Sequence, residues 1–96
     1  MISICIPIYN FHVVDLIITI INQGEESKKP YEVICIDDGS NKETLKLNAE
    51  INSHNTVKYL ILKKNIGRSK IRNLFLENAN YENLLIIDCD CSIQSE

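Results

Sequence analysis

Short apolar runs alternate with polar or helix-patterned segments along the whole chain. Ile2 to Ile6 is a compact β-like run, and Pro7 is placed to end it or to sit at its edge. Val13 to Asn22 reads as a helix that is apolar nearly all round, hence well covered; Gly24 and Glu25 to Pro30 read as a polar loop. Tyr31 to Ile36 is the second strand, and Asp37-Asp38-Gly39-Ser40 is a turn. Ser40-Asn41-Lys42-Glu43 matches the S-x-x-E capping box, which predicts a helix start there. Its apolar positions (Leu45, Leu47, Ala49, Ile51) are poorly spaced and leave its length open. Val57 to Leu62 is the third strand, Asn65-Ile66-Gly67 a turn, and Arg68 to Ala79 a helix with Ile71, Leu74, Phe75 and Ala79 at helical spacing. Asn83 to Ile87 is the fourth strand, apolar enough to be buried on both faces. The order β-α-β-α-β-α-β predicts an α/β fold: a Rossmann-like parallel sheet with right-handed crossovers.

Composition narrows the partners. Ninety-six residues make one domain, residues 1–96, and 45% hydrophobic residues supply a core. A net charge of −3, with dispersed lysines and arginines, argues against a nucleic-acid partner held by electrostatics. No stretch approaches the ~18 apolar residues of a membrane span, and Met1-Ile2-Ser3 lacks the basic start of a signal peptide. Cys5, Cys35, Cys89 and Cys91 lack zinc-site spacing, and Cys5 and Cys35 fall inside strands, where a thiol acts as a small hydrophobe. A cytoplasmic protein with reduced, structural cysteines is expected. His12 and His54 have no partner pattern and receive no role.

Three strand ends carry unusual polar residues: Pro7-Ile8-Tyr9-Asn10, Asp37-Asp38-Gly39-Ser40 and Asp88-Cys89-Asp90. In a parallel sheet they share one edge, where open α/β sheets bind ligands. Four carboxylates converging there repel one another unless a ligand donates hydrogen bonds or a cation binds. A divalent metal holding a diphosphate suits Asp88 and Asp90, because hard cations take carboxylate and phosphate oxygens. Neither G-x-x-x-x-G-K-[ST] nor G-x-G-x-x-G occurs, so a phosphate cradle of backbone amides is not expected.

These pieces together resemble the N-terminal nucleotide-binding half of the family 2 glycosyltransferases, which have the GT-A fold. The resemblance rests on Ile4 to Asn10, on Gln23 at the end of the first helix, on Val33 to Ser40, on Asn65 to Asn73 and on Asp88-Cys89-Asp90, in that order. It implies the strand order 3-2-1-4 and a nucleotide-sugar donor, UDP by default. It implies that Tyr9 stacks on the nucleobase with Pro7 shaping the strand exit. Asp38 would accept from the base N–H with Asp37 supporting it, and Asp88 would face the ribose. Gly67 joins the nucleotide-binding positions, and Asp90 would bind Mn²⁺ or Mg²⁺ bridging the diphosphate. The chain then reads as truncated after the D-x-D motif, without an acceptor segment or an assignable catalytic base, and inactive alone. Polysaccharide biosynthesis is the implied setting, and an open edge on the fourth strand implies self-association.

Blander readings stand beside these. Asp37 to Ser40 also reads as a plain strand–turn–helix connection, Asn65-Ile66-Gly67 as a plain turn, and Arg68, Lys70 and Arg72 as a solvated helix face from which one residue approaches the diphosphate. Asp88-Cys89-Asp90-Cys91-Ser92 also resembles the nucleophile loop of haloacid-dehalogenase-type phosphatases. A non-catalytic nucleotide-binding or assembly module is the third class.

Overall fold

The computed structural model describes residues 1–87, and of Arg68 the backbone only. Four strands form one parallel sheet in the order β3-β2-β1-β4. They are β1 (Ile2–Ile8), β2 (Tyr31–Asp37), β3 (Val57–Ile61) and β4 (Leu84–Ile86). Between them lie α1 (Val14–Ser27), α2 (Lys42–Asn48) followed by a 3-10 turn at Ala49–Ser53, and α3 (Arg68–Asn78). The expected strand order and helix alternation are both present.

The two-residue period of the strands divides the core. Ile6, Ile8, Val33, Cys35 and Val57 point to the face covered by Val13, by α1 (Val14, Ile17, Ile20) and by Ile51 of the 3-10 turn. Cys5, Ile34 and Ile36 point to the opposite face, against Ile71 and Phe75 of α3. β1 and β2, covered on both faces, are the apolar runs visible in the sequence. Burial, with a smaller contribution from the Glu32 charge, pushes the Cys5 thiol up to about 11, which keeps it an inert core residue.

Four expectations about element boundaries need correction. β1 does not stop at Pro7 but continues to Ile8, paired with β2 throughout. Backbone groups of Ile2 and Ile8 bond toward β2, and those of Ser3 and Cys5 toward β4. The missing Pro7 N–H therefore falls on the β4 side, past the last β1–β4 pair, Cys5 with Ile86. The first helix does not end near Gln23. It runs through Gly24 to Ser27, because a Cβ at Gly24 would lie 2.6 Å from the Tyr31 ring, so the glycine admits Tyr31 rather than ending the helix. Lys28, left-handed at φ 58°, ends it instead. The second helix is capped by Asn41, whose Oδ1 accepts from the Thr44 N–H at 2.8 Å, and not by Ser40. Finally, β4 is not buried on both faces: Leu85 is 47% and Ile86 41% exposed. β4 lies at the end of the sheet, with no strand beyond it among the described residues.

At the opposite end of the sheet from the candidate site, Glu32 knots three elements together. Its carboxylate accepts from Ser3 Oγ (2.6 Å), the Asn80 N–H (2.6 Å) and Asn80 Nδ2 (3.0 Å), with Lys58 Nζ 3.7 Å away. Burial raises the Glu32 pKa, but the bonds from Ser3 and Asn80 and the Lys58 charge outweigh it and hold the carboxyl below its ordinary 4.5. A depressed carboxyl stabilises the fold above its unfolded value, and that share is lost as pH falls through the lower folded value. Glu32→Ala is expected to cost about 2 kcal/mol at neutral pH, since it strands the buried Ser3 hydroxyl and the Asn80 amides. Thermal melts of both proteins should show the difference constant at neutral pH and shrinking below pH 4.5. A difference that grows in acid would contradict this account.

Candidate functional site

The carboxyl ends of β1, β2 and β3 are joined by hydrogen bonds. Asp38 N–H donates to the Ile8 carbonyl at 2.8 Å, which ties the β2 exit to the β1 exit. The Asp38 carboxylate accepts from the Ile66 N–H (Oδ1, 2.7 Å) and the Gly67 N–H (Oδ2, 3.1 Å). Asp38 thus places its charge at the amino end of α3, where backbone N–H groups have no helical partner and the dipole favours an anion. Gly67, which precedes α3, has no side chain to cap it and stands at φ 91°. The Asp38 carbonyl also accepts from Asn65 Nδ2 at 3.2 Å.

Gly39 permits this closeness. At φ +81° it occupies a region side chains rarely adopt, and a Cβ there would lie 2.6 Å from the Asn65 nitrogen and 2.7 Å from the Lys64 carbonyl carbon. The glycine of Asp37-Asp38-Gly39-Ser40 is therefore fixed by the approach of the β3–α3 loop as well as by the turn itself.

Asp37 is fully buried. Its Oδ1 accepts from the Ser40 N–H at 2.7 Å and closes the turn, while Oδ2 has no hydrogen-bond partner. The Tyr59 hydroxyl, on the same face of the neighbouring strand, is also buried without a partner. Burial, then the charge of Asp37 and the nearby Cys35, push Tyr59 up to about 12, so the phenol stays protonated at neutral pH.

The β1–α1 loop is tied to the second helix. Asn10, left-handed at φ 51°, donates its N–H to Ser40 Oγ (2.7 Å) and accepts the Asn41 N–H on Oδ1 (2.8 Å). Tyr9 stands next to this tether and is 55% exposed. On the α3 side of the sheet, Pro7 lines a cavity of about 510 Å³ together with Ser69, Arg72, Asn73 and Ile86.

Of the sequence-predicted site residues, Pro7, Tyr9, Asp37, Asp38 and Gly67 all lie at this edge of the sheet, and hydrogen bonds join the three loops that carry them. The Asp88 and Asp90 assignments lie outside the described residues. Asp38 differs from expectation in that both of its oxygens already accept backbone N–H groups. Sequence reading assigned no role to Asn10, Asn48, Ser69 or Asn73. Asn10, Ser69 and Asn73 fall in stretches that carry the family resemblance, and Asn48 does not. Among the described residues, no group of three or more histidine, cysteine, aspartate or glutamate side chains is arranged to hold a metal. No described helix is long and apolar enough to cross a membrane.

With the geometry in place, comparison with known proteins is decisive for the family. The family model described as glycosyl transferase family 2 matches residues 3–96. The chain belongs to this family. A chondroitin synthase of Pasteurella multocida (strain Pm70) is 32% identical over 96 residues, covering 96% of this chain and 10% of that protein. Among solved structures, the fold matches a mannosyltransferase of Pyrobaculum calidifontis in complex with GDP-Man and Mn²⁺ at TM-score 0.66, with 22% identity over 93% of this chain and 27% of that one. It also matches S. aureus TarS residues 1–349 at TM-score 0.67, with 29% identity over 93% of this chain and 27% of that one. The sheet is thus the Rossmann-like part of a GT-A fold, and the chain spans about a tenth to a quarter of the length of these relatives. Membership of glycosyl transferase family 2 leaves the phosphatase-like reading of Asp88-Cys89-Asp90 without support.

Gly39→Ala is expected to lose about 2 kcal/mol of stability through left-handed strain alone, and more from the overlap with Asn65. Denaturant unfolding measures it. A variant as stable as the parent would mean that the β3–α3 loop does not pack on Gly39 as described.

Proposed function

We propose that this domain binds the nucleotide-sugar donor of a glycosyl-transfer reaction, with a divalent metal, as residues 1–96 of a family 2 glycosyltransferase. The observation that carries this reading is Tyr9, half-exposed at the exit of β1 beside a hydrogen-bonded platform containing Asp37 and Asp38. A platform held by its own hydrogen bonds does not need to be ordered by the ligand, which lowers the cost of binding. The aromatic ring supplies a stacking surface for a base. Asp38 keeps spare acceptor capacity, since two carboxylate oxygens offer about four lone-pair sites and two are used. The residue as a whole is buried, at 7% exposure, and a base N–H is the further donor assigned to it. Asp37 supports it by closing the turn, and Gly67 presents the start of α3.

Arg72 and Pro7 line the same cavity, which supports Arg72 as a residue of α3 that meets a diphosphate. Asp88 is assigned to the ribose and Asp90 to Mn²⁺ or Mg²⁺. The carboxylate donor type fits such a hard cation, and the mannosyltransferase relative holds Mn²⁺ with GDP-Man. When bound, the metal supplies Lewis-acid stabilisation of the departing diphosphate. UDP is the default nucleotide, polysaccharide biosynthesis the setting and the cytoplasm the location. No residue of this chain is assigned to the acceptor or to the catalytic base.

The test is calorimetric titration of UDP into the chain with Mn²⁺, with EDTA, and on two variants. Asp90→Ala should abolish the metal-dependent part of binding. Tyr9→Ala is the cleaner probe of the base site, because Asp38 also holds α3 and its removal confounds binding with stability. Stacking worth ~1–3 kcal/mol predicts a loss of affinity of roughly five- to 150-fold, with melting unchanged. Tyr9→Ala that binds UDP like the parent would refute the base-stacking role. Absence of nucleoside-diphosphate binding by the folded chain would favour the assembly-module reading.

Among the described residues no strand covers the outer edge of β4, and Leu85 and Ile86 are half-exposed, which supports the proposed pairing between two copies of this chain. Sedimentation should show a concentration-dependent dimer, and a species that stays monomeric across the range counts against it.

A further inference from the structure

Asn48, the last residue of α2, is fully buried and makes no hydrogen bond to its own helix through its side chain. Its amide reaches across to the β1–α1 loop instead. Oδ1 accepts from the Val13 N–H at 2.9 Å, and Nδ2 donates to the Phe11 carbonyl at 2.8 Å. The same loop is held one step earlier by Asn10, through Ser40 and Asn41 at the start of the second helix. Four hydrogen bonds from one short segment thus grip residues 10–13 from both ends of α2. Tyr9 is the residue immediately before the grip, and it is 55% exposed.

We propose that Asn48 is a positioning residue for the donor site: it acts through the β1–α1 loop to fix where Tyr9 stands. The inference rests on the nucleotide-binding reading of Tyr9. The chemistry demands an amide at this place. Val13 N–H needs an acceptor and the Phe11 carbonyl needs a donor, and an uncharged side chain of this length supplies both. Aspartate keeps the acceptor but loses the donor, and sets a charge against the Phe11 carbonyl. Lowering the pH restores a donor, because a protonated carboxyl carries one O–H. Burial beside a carbonyl raises that carboxyl above the ordinary carboxylate value of about 3.9, so the recovery falls in a mild acid range.

The experiment compares the parent chain with Asn48→Asp, alone and combined with Tyr9→Ala. Nitrogen-15 relaxation and amide exchange at residues 9–13 read the loop, and titration of UDP with Mn²⁺ reads the site. In Asn48→Asp the loop amides should become mobile and exchange faster at neutral pH, then recover their protection as the pH is lowered. UDP affinity should fall roughly tenfold, the equivalent of one lost loop-ordering contribution of about 1.4 kcal/mol. In the Tyr9→Ala background the same substitution should have little further effect on UDP, since a residue that acts through Tyr9 cannot act without it. A rigid loop in Asn48→Asp, or losses that simply add, overturns the proposal. If the parent binds no UDP, the donor-site reading fails, and the positioning of Tyr9 is decided by the loop measurements alone. Should Asn48→Asp not fold, Asn48→Ser is read in the same way, with loop mobility supporting the proposal and a rigid loop overturning it.

Discussion

The carboxylate of Asp38 holds the candidate site together. It leaves β2, accepts the backbone N–H groups of Ile66 and Gly67, and so fixes the amino end of α3. Its own N–H is spent on the Ile8 carbonyl of β1. One residue therefore connects the exits of three parallel strands. A charge in this place is held by two hydrogen bonds of the stronger, charge-assisted kind. Gly39 must follow it, because the approach that allows those bonds leaves no space for a Cβ beside Asn65. The sequence Asp38-Gly39 is one physical requirement rather than two.

The sheet was legible because its strands are apolar runs bounded by polar clusters, and β1 and β2 are buried as such runs predict. Strand order followed from family resemblance and not from periodicity, which says nothing about neighbours. The errors have local causes. Gly24 suggested a helix end, but the residue that needs its missing side chain is Tyr31, distant in sequence and adjacent in space. Ser40 matched a capping pattern, yet a tertiary partner, Asn10, took its hydroxyl and left the cap to Asn41. β4 has the composition of a central strand but sits at the end of the described sheet, so composition overstated its burial.

The candidate site was legible in part for a similar reason. Tyr9, Asp37 and Asp38 stand at strand ends, where a parallel sheet collects ligand-binding residues whatever their long-range partners. Asn48 was not legible. It lies on a helix with a weak apolar pattern, and its partners are main-chain groups of Phe11 and Val13, which no side-chain pattern reveals. Glu32 was hidden in the same way: a charged residue inside a strand, hydrogen-bonded by groups 29 and 48 positions away in sequence.

Under the proposed function Asp38 would carry two demands that look opposed. Holding α3 uses its oxygens, whereas recognising a base N–H would require an oxygen to be available. The opposition dissolves on lone-pair geometry, since each carboxylate oxygen accepts from two directions. The bonds to Ile66 and Gly67 would then serve the proposed recognition by fixing the carboxylate in orientation before any ligand arrives. An acceptor already oriented by protein N–H groups loses little freedom when a further donor approaches, so more of the new bond appears as affinity. Tyr9 is held in the same manner: its loop is gripped by Asn10 and Asn48 while its ring stays exposed. A frame held by its own hydrogen bonds, with the Tyr9 ring left exposed, is an arrangement that suits the proposed preformed nucleotide site.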